Sequence, residues 1–282
     1  MCTIGNVYST GTKGNISFKQ CDLEEATTFL TPQTTPGTDG IIYFPFLREG
    51  SKGPWAGINN FGVSFVAADN YLAFDSAQQT VTQTVSQDIF EAYTKILSDH
   101  KTASAAKDYM VDFYKTFPAA DILLITDASS AWFIEANNGE IACIDRTEEF
   151  FACTNHMRML YQGVPYNQNH SSYLRLDRAQ KILLKDTNST GVFNVLSDQY
   201  FGSSVFSICR VNDVRPPQED PYYTQATAIM YTDGTVMNAV YQINGNPRTN
   251  AYVYVYDIFG KHEVHNDLLA NELVKYLENS KS

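Results

Sequence analysis

Short apolar runs, each about the length of a strand, lie on either side of two blocks with helical periodicity, and this order constrains the fold most. Residues 2–9 and 14–19 read as two strands around a turn at Gly11–Gly14. Pro and Gly punctuate 28–40 and 49–54 as loops, and 41–46 between them reads as a strand. A strand pair over 55–68 is broken at Asn59-Asn60. The period then changes. Ile89, Tyr93, Ile96 and Leu97 share one helical face over 86–98, with Ser86 placed to cap it, and a second helix over 104–115 turns Met110, Phe113 and Tyr114 inward. Strands follow at 122–126, 131–135, 140–145 and 150–154, the middle two joined at Asn137-Asn138-Gly139. Helices return at 173–185 and 190–200. Strands are expected again at 204–211, at 224–231 and 235–242 around Asp233-Gly234, and at 251–256. A last amphipathic helix is expected at 264–279, carrying Leu268, Leu269, Leu273 and Leu277. Strands bracketing two helical blocks, with no internal repeat, define an α+β class in which helices pack on sheets.

The 282 residues are enough to bury a sizeable core, and a single domain over 2–282 is expected, with Met1 removed. Hydrophobic residues at 44% and charged residues at 18% fit a globular, soluble chain. A formal net charge of −11 without a long basic run argues against nucleic-acid binding. No run approaches the length of a membrane span. The N-terminal stretch lacks the apolar core of a signal peptide, so a reducing cytoplasm is the expected compartment. The five cysteines, Cys2, Cys21, Cys143, Cys153 and Cys209, are odd in number and contain no CxxC pair, so neither a disulfide framework nor a zinc ribbon is expected. Cys143, Cys153 and Cys209 sit in apolar runs and read as buried core thiols.

Cys2 follows Met1 directly, and its small side chain permits removal of the methionine. A cysteine exposed in this way carries a nucleophilic thiol and an α-amine with an ordinary pKa of about 7.7–8.0. Nucleophile and base then sit on one residue.

Four polar stretches lie at strand ends or turns. In 17–23, Lys19 and Asp22 follow the second strand. Asp22 can hold the Cys2 amine by a hydrogen bond, and the charge of Lys19 can favour the thiolate; the same spacing also fits an exposed ion pair in a turn. In 55–70, two glycines frame a turn before a strand that ends at Asp69-Asn70, where an amide could meet a substrate carbonyl or serve turn chemistry alone. In 151–156, an apolar strand runs into Thr154-Asn155-His156. Asn155 can donate to a developing oxyanion, and His156 offers the rival reading of a Cys–His pair. In 170–183, Ser171 or Ser172 caps a helix. Arg175 points back towards the strand ends, and Asp177 and Arg178 read as solvated.

Taken in order, these stretches resemble the N-terminal nucleophile hydrolases, in particular the isopenicillin N acyltransferase branch with the choloylglycine hydrolases and penicillin V acylases. The marks are Cys2-Thr3; Lys19-x-x-Asp22, where many relatives have Arg-x-x-Asp; Gly57-Ile58-Asn59-x-x-Gly62; the run 125–135; Thr154-Asn155-His156; and the run 171–178. They extend over most of the chain. The resemblance implies a four-layer αββα sandwich of two antiparallel sheets. It implies Cys2 as nucleophile, its α-amine as base, Asp22 as the group holding the amine, Asn155 in the oxyanion hole, Arg175 as a structural or charge-tuning arginine, and Lys19 at a cation position. The segment after Gly62 is longer than the family pattern, so the second oxyanion donor falls at Asn70 or beside it at Asp69. The acyltransferase cuts itself behind a long propeptide; here only Met1 precedes Cys2, so methionine removal has to replace that cut.

The expected function is therefore an amidase that cleaves the linear C–N bond of a small N-acyl amide through a Cys2 thioester, with no metal or cofactor. Two alternatives stand beside it. An acyltransferase would pass the acyl group to an amine, and a binding protein on the same fold would keep Met1. Trp55, Phe61, Tyr71 and Phe151 flank the site stretches and suit an apolar acyl pocket or ordinary core packing. Assembly with further copies of the chain is left open.

Overall fold

A computed structural model of the chain describes residues 1–9, 14–69, 87–147, 150–160, 170–211 and 222–278. Gly11, Asn70, Tyr71 and Ser86 lie outside the described residues. The chain opens with the strands β1 (Cys2–Ser9), β2 (Gly14–Leu23), β3 (Thr35–Pro36), β4 (Ile42–Phe46), β5 (Ala56–Asn59) and β6 (Ser64–Asp69). The helices α1 (Gln87–Asp99) and α2 (Ala103–Thr116) follow, then β7 (Ala120–Thr126), β8 (Ala131–Asn137), β9 (Glu140–Asp145) and β10 (Phe150–Cys153). The helices α3 (Ser171–Lys185) and α4 (Ser189–Leu196) come next. The chain continues through β11 (Tyr223–Thr232), β12 (Met237–Gln242), β13 (Tyr252–Tyr256) and β14 (Glu263–Leu268) to α5 (Ala270–Glu278).

The strands form two antiparallel sheets of seven, ordered β10-β1-β2-β11-β12-β13-β14 and β3-β4-β5-β6-β7-β8-β9. Three hydrophobic clusters define the layers. Ile4, Phe46, Trp55, Val66, Leu124, Phe133 and Ala228 fill the space between the sheets. The outer face of the first sheet packs Val7, Phe18 and Ile229 against Leu176, Leu183, Phe193, Leu273 and Leu277 of α3, α4 and α5. The outer face of the second sheet packs Phe65, Leu123 and Ile134 against Ile96, Met110 and Tyr114 of α1 and α2. The result is a four-layer αββα sandwich. Strands buried on both faces cannot show a clean polar–apolar alternation, which is why β6 and β7 read as near-continuous apolar runs.

Five expectations are corrected. The run 204–211 is not a strand: Ser204 and Ser207 hydroxyls donate to Phe201 and Gly202 carbonyls, local bonds that replace a ladder. Residues 263–268 form β14 at the open edge of the first sheet rather than the start of a helix. An edge strand, held by its ladder to β13, needs no apolar periodicity, and only Leu273 and Leu277 lie on the buried face of α5. Cys143 is exposed, because β9 is the opposite kind of edge in the second sheet and shows mainly its outer side to solvent. Lys19 and Asp22 lie within β2 rather than after it, and both are buried. Three residues apart on a strand, they point to opposite faces and form no ion pair with each other. Arg178, read as solvated, pairs with Asp198 at 2.6 Å and lies over the Tyr200 ring, while Asp177 makes an exposed pair with Lys181.

Candidate active site

Register places the site. β1 pairs with β2 so that Cys2 faces Cys21, and with β10 so that Ile4 faces Cys153. Continuing the second register by two residues brings Asn155, just past the end of β10, opposite Cys2. Met1 and Asp22 exchange two backbone bonds, Met1 N to Asp22 O at 2.7 Å and Asp22 N to Met1 O at 2.9 Å. Cys2 is therefore at a non-hydrogen-bonded position towards β2, and its own N–H and C=O point the other way. The Cys2 N–H donates to Asn155 Oδ1 at 2.8 Å, and the Cys2 carbonyl accepts from Arg175 Nη1 at 2.5 Å.

Arg175 is fully buried on the inner face of α3. It also donates to Thr3 Oγ1 at 3.1 Å, Asn155 Oδ1 at 2.9 Å and Ser171 Oγ at 3.3 Å. One guanidinium thus fixes the first strand, the asparagine and the start of the helix together. Asn155 is locked from the other side as well. Its N–H donates to Ser172 Oγ at 2.9 Å, and its Nδ2 donates to Asp69 O at 2.7 Å. Asp69 is thereby brought to the site through its carbonyl, and Asn70, the other candidate donor, lies outside the described residues.

The two faces of the first sheet divide the chemistry. On the inter-sheet face are the Cys2 thiol, Cys21 and Lys19. Lys19 Nζ donates to Trp55 O at 3.3 Å and lies 5.4 Å from the Trp55 ring centroid. A hydrogen bond from Cys21, and then the charge of Lys19, hold the Cys2 thiol below its ordinary pKa despite burial. The Cys21 thiol is pushed up, first by that same hydrogen bond to Cys2 and then by burial, so it keeps its proton. On the helix-facing side is Asp22, whose Oδ1 accepts from Thr224 Oγ1 at 2.7 Å. Its Oδ2 has no hydrogen-bond donor among the described residues, although Arg210 Nε stands 3.6 Å away.

Two site residues were not read from the sequence. Arg210 is buried, donates to Ser171 Oγ at 2.8 Å, and pairs with Asp22 from the segment 204–211. An arginine set between Cys209 and Val211 in an apolar run was the available signal, since a buried cation needs a partner. Cys21 was legible from the hairpin: the pairing that sets Ser9 against Gly14 also sets Cys2 against Cys21. Met1 is buried as well. Its sulfur lies 3.4 Å from Arg210 Nη2 and 3.6 Å from Arg175 Nη2, and burial lowers the pKa of its ammonium. Among the described residues no group of three or more His, Cys, Asp or Glu side chains stands together as a metal-binding set.

His156 does not join the thiol. Its Nδ1 is 2.8 Å from Ser172 Oγ, and its ring stacks on Tyr173 at 4.0 Å between centroids. Burial, then the charges of Arg158, Arg175 and His170, push its pKa down to about 3. Below the ordinary imidazole value of about 6.5, the unfolded chain therefore takes up a proton that the folded chain refuses. This contribution to stability is present above that pH and is lost as pH falls towards 3. His156→Gln is expected to keep most activity and to flatten this acid loss, as a pH series of urea melts would show. A dead variant with a native far-UV circular dichroism spectrum would instead make His156 the base.

The αββα sandwich, with β1 between β10 and β2 in its first sheet, is the fold of the N-terminal nucleophile hydrolases. Three solved structures of that fold are similar over nearly the whole chain. A mutant conjugated bile acid hydrolase of Clostridium perfringens has a TM-score of 0.57 at 10% identity, covering 94% of this chain and 96% of that one. Penicillin V acylase of Agrobacterium tumefaciens has a TM-score of 0.55 at 13% identity, covering 96% of each chain. The Caenorhabditis elegans ortholog of N-acylethanolamine-hydrolyzing acid amidase has a TM-score of 0.54 at 14% identity, covering 83% of this chain and 93% of that one. At these identities the likeness is one of fold. No protein-family model matches the sequence, and no curated protein matches it in sequence.

Proposed function

We propose that the protein is an N-terminal cysteine amidohydrolase that cleaves the linear C–N bond of a small N-acyl amide, acting as a single catalytic unit over residues 2–282 in the cytoplasm. The observation that carries this reading is the Cys2 nitrogen held 2.8 Å from Asn155 Oδ1, on the same residue as a thiol favoured as thiolate. Removal of Met1 turns that amide nitrogen into an α-amine without moving its acceptor. Asp22 Oδ2, the acceptor without a donor, is assigned to the freed amine, and Arg210 steadies the carboxylate. The amine takes the thiol proton, the thiolate attacks the acyl carbon, and negative charge develops on the carbonyl oxygen. The Asn155 amide carries two N–H groups; one is given to Asp69 O, and the second is assigned to this oxyanion. The amine then hands its proton to the leaving nitrogen, and water cleaves the thioester. Three solved proteins of this fold, a conjugated bile acid hydrolase, a penicillin V acylase and an N-acylethanolamine-hydrolyzing amidase, support an amide substrate. An open cleft of about 350 Å³ lined by Phe29, Tyr223 and Ile243 lies at the Leu23–Tyr223 end of the sheet, and Phe29 belongs to the same apolar cluster as Cys2. We assign the acyl chain to it.

A panel of N-acyl amides incubated with protein that starts at Cys2, with products and acyl-protein adducts read by mass spectrometry, tests the reading. The expected result is equimolar amine and carboxylic acid with a transient acyl group on Cys2. Turnover with the acyl group on a different residue would overturn it. Products in which an added amine captures the acyl group faster than water would make the protein an acyltransferase.

A further inference from the structure

We propose that Cys2 and Cys21 are a built oxidative modification site, which a peroxide closes into a cross-strand disulfide and a dithiol reopens. The two residues face each other across β1 and β2 on the inter-sheet face. The pair of bonds exchanged by Met1 and Asp22 makes the next position, Cys2 with Cys21, a non-hydrogen-bonded pair. Opposed residues at such positions have Cα atoms about 4.5 Å apart, the closer of the two antiparallel spacings. Disulfides span Cα separations of about 4.4–6.8 Å, so the pair falls inside the range without movement of the strands. Both thiols are free, and their interaction favours the proton on Cys21 over Cys2.

The chemistry follows from the unequal protonation of the pair. The Cys2 thiolate attacks a peroxide oxygen. An S–O bond forms, the O–O bond breaks, and the departing hydroxide takes up the proton that the Cys2 thiol had released and leaves as water, giving Cys2 sulfenic acid. The Cys21 sulfur then attacks the Cys2 sulfur. An S–S bond forms, the S–O bond breaks, and the Cys21 proton leaves with the hydroxide as a second water. Two thiols are oxidised by two electrons and one peroxide is reduced to two waters. Cys153 is the rival thiol, on β10 opposite Ile4, so it sits diagonal to Cys2 rather than opposed. Burial pushes its pKa up to about 12, and its Sγ donates to the Thr154 carbonyl.

The consequence for activity rests on the reading of Cys2 as the nucleophile; the bond itself does not. Protein starting at Cys2 is treated with hydrogen peroxide, its remaining thiols are alkylated, and its peptides are mapped without reduction, with amide turnover measured alongside. The expected map shows one cross-link, between the Cys2 and Cys21 peptides, and turnover is lost and then restored by dithiothreitol. In Cys21→Ser the same dose is expected to carry Cys2 on to sulfinic acid, and dithiothreitol restores nothing. A Cys2 sulfinic acid without a cross-link in the unaltered protein, or a cross-link to Cys153, would overturn the proposal. A Cys2–Cys21 cross-link in a protein that turns over no amide would uphold the modification site and defeat the amidase reading instead.

Discussion

Cys2→Ala abolishes turnover and leaves the fold in place. Cys2 is buried between the sheets at 4% exposure, so the change removes one sulfur from the packed interior. A loss of that size costs about 1 kcal/mol, on the scale of a buried methylene. A domain with about 5–15 kcal/mol of stability survives it. The strand is not held by the thiol in any case: its anchors are the Cys2 carbonyl on Arg175 and the Cys2 nitrogen on Asn155, both backbone groups. Activity has no such reserve, because no other described thiol combines a lowered pKa with this position. Cys21, Cys153 and Cys209 are all pushed upward. Loss of a nucleophile of this kind costs a factor on the order of 10⁴–10⁶. Steady-state assays beside far-UV circular dichroism and a thermal melt check this. A folded Cys2→Ala protein with full turnover would remove Cys2 from the mechanism.

Asn155→Ala is expected to lower kcat by about 10²–10³, as for loss of one oxyanion-hole donor, with a smaller change in KM. The residue is fully buried, and its side chain joins three partners: the Cys2 nitrogen, Arg175 and the Asp69 carbonyl. Alanine therefore also leaves buried groups unpaired, at a cost of about 1–3 kcal/mol each, and the melting temperature should fall with it. Asn155→Asp separates the two roles. An aspartate keeps an acceptor for the Cys2 nitrogen and for Arg175, so stability should recover much of the loss. It has no N–H to offer a developing oxyanion, and its charge opposes one, so turnover should stay as low as in Asn155→Ala or fall further. An active Asn155→Asp enzyme would show that Asn155 acts only by holding the amine.

The order of strands and helices was legible because turn chemistry and period change mark each boundary in the sequence. The residue pairs at Asn137-Asn138-Gly139 and Asp233-Gly234 close hairpins where expected. What escaped was held by something other than local pattern. β14 is an edge strand fixed by its ladder, and the 204–211 run is fixed by serine hydroxyls bonding to nearby carbonyls. In the site, Cys2, Lys19, Asp22, Asn155 and Arg175 do come together, but not as neighbours in the sense of their spacing. Lys19 and Asp22 serve opposite faces of one strand, the first near the Cys2 thiol and the second near the Met1 ammonium. Arg210 needed the three-dimensional structure, since it comes from a turn, whereas Cys21 follows from the hairpin register that sets it against Cys2.

Turnover requires the Cys2 nitrogen to become a free amine. In the chain that retains Met1, that nitrogen is a peptide amide and cannot accept a proton, and the Met1 ammonium donates instead to the Asp22 carbonyl. Intact mass and N-terminal sequence, determined on separated species of the purified protein and set against the amide turnover of each, decide the point. All turnover is expected in the species that begins at Cys2, and a protein with one residue added before Cys2 should be folded and inactive. Turnover of equal rate in a species that keeps Met1 would contradict the mechanism.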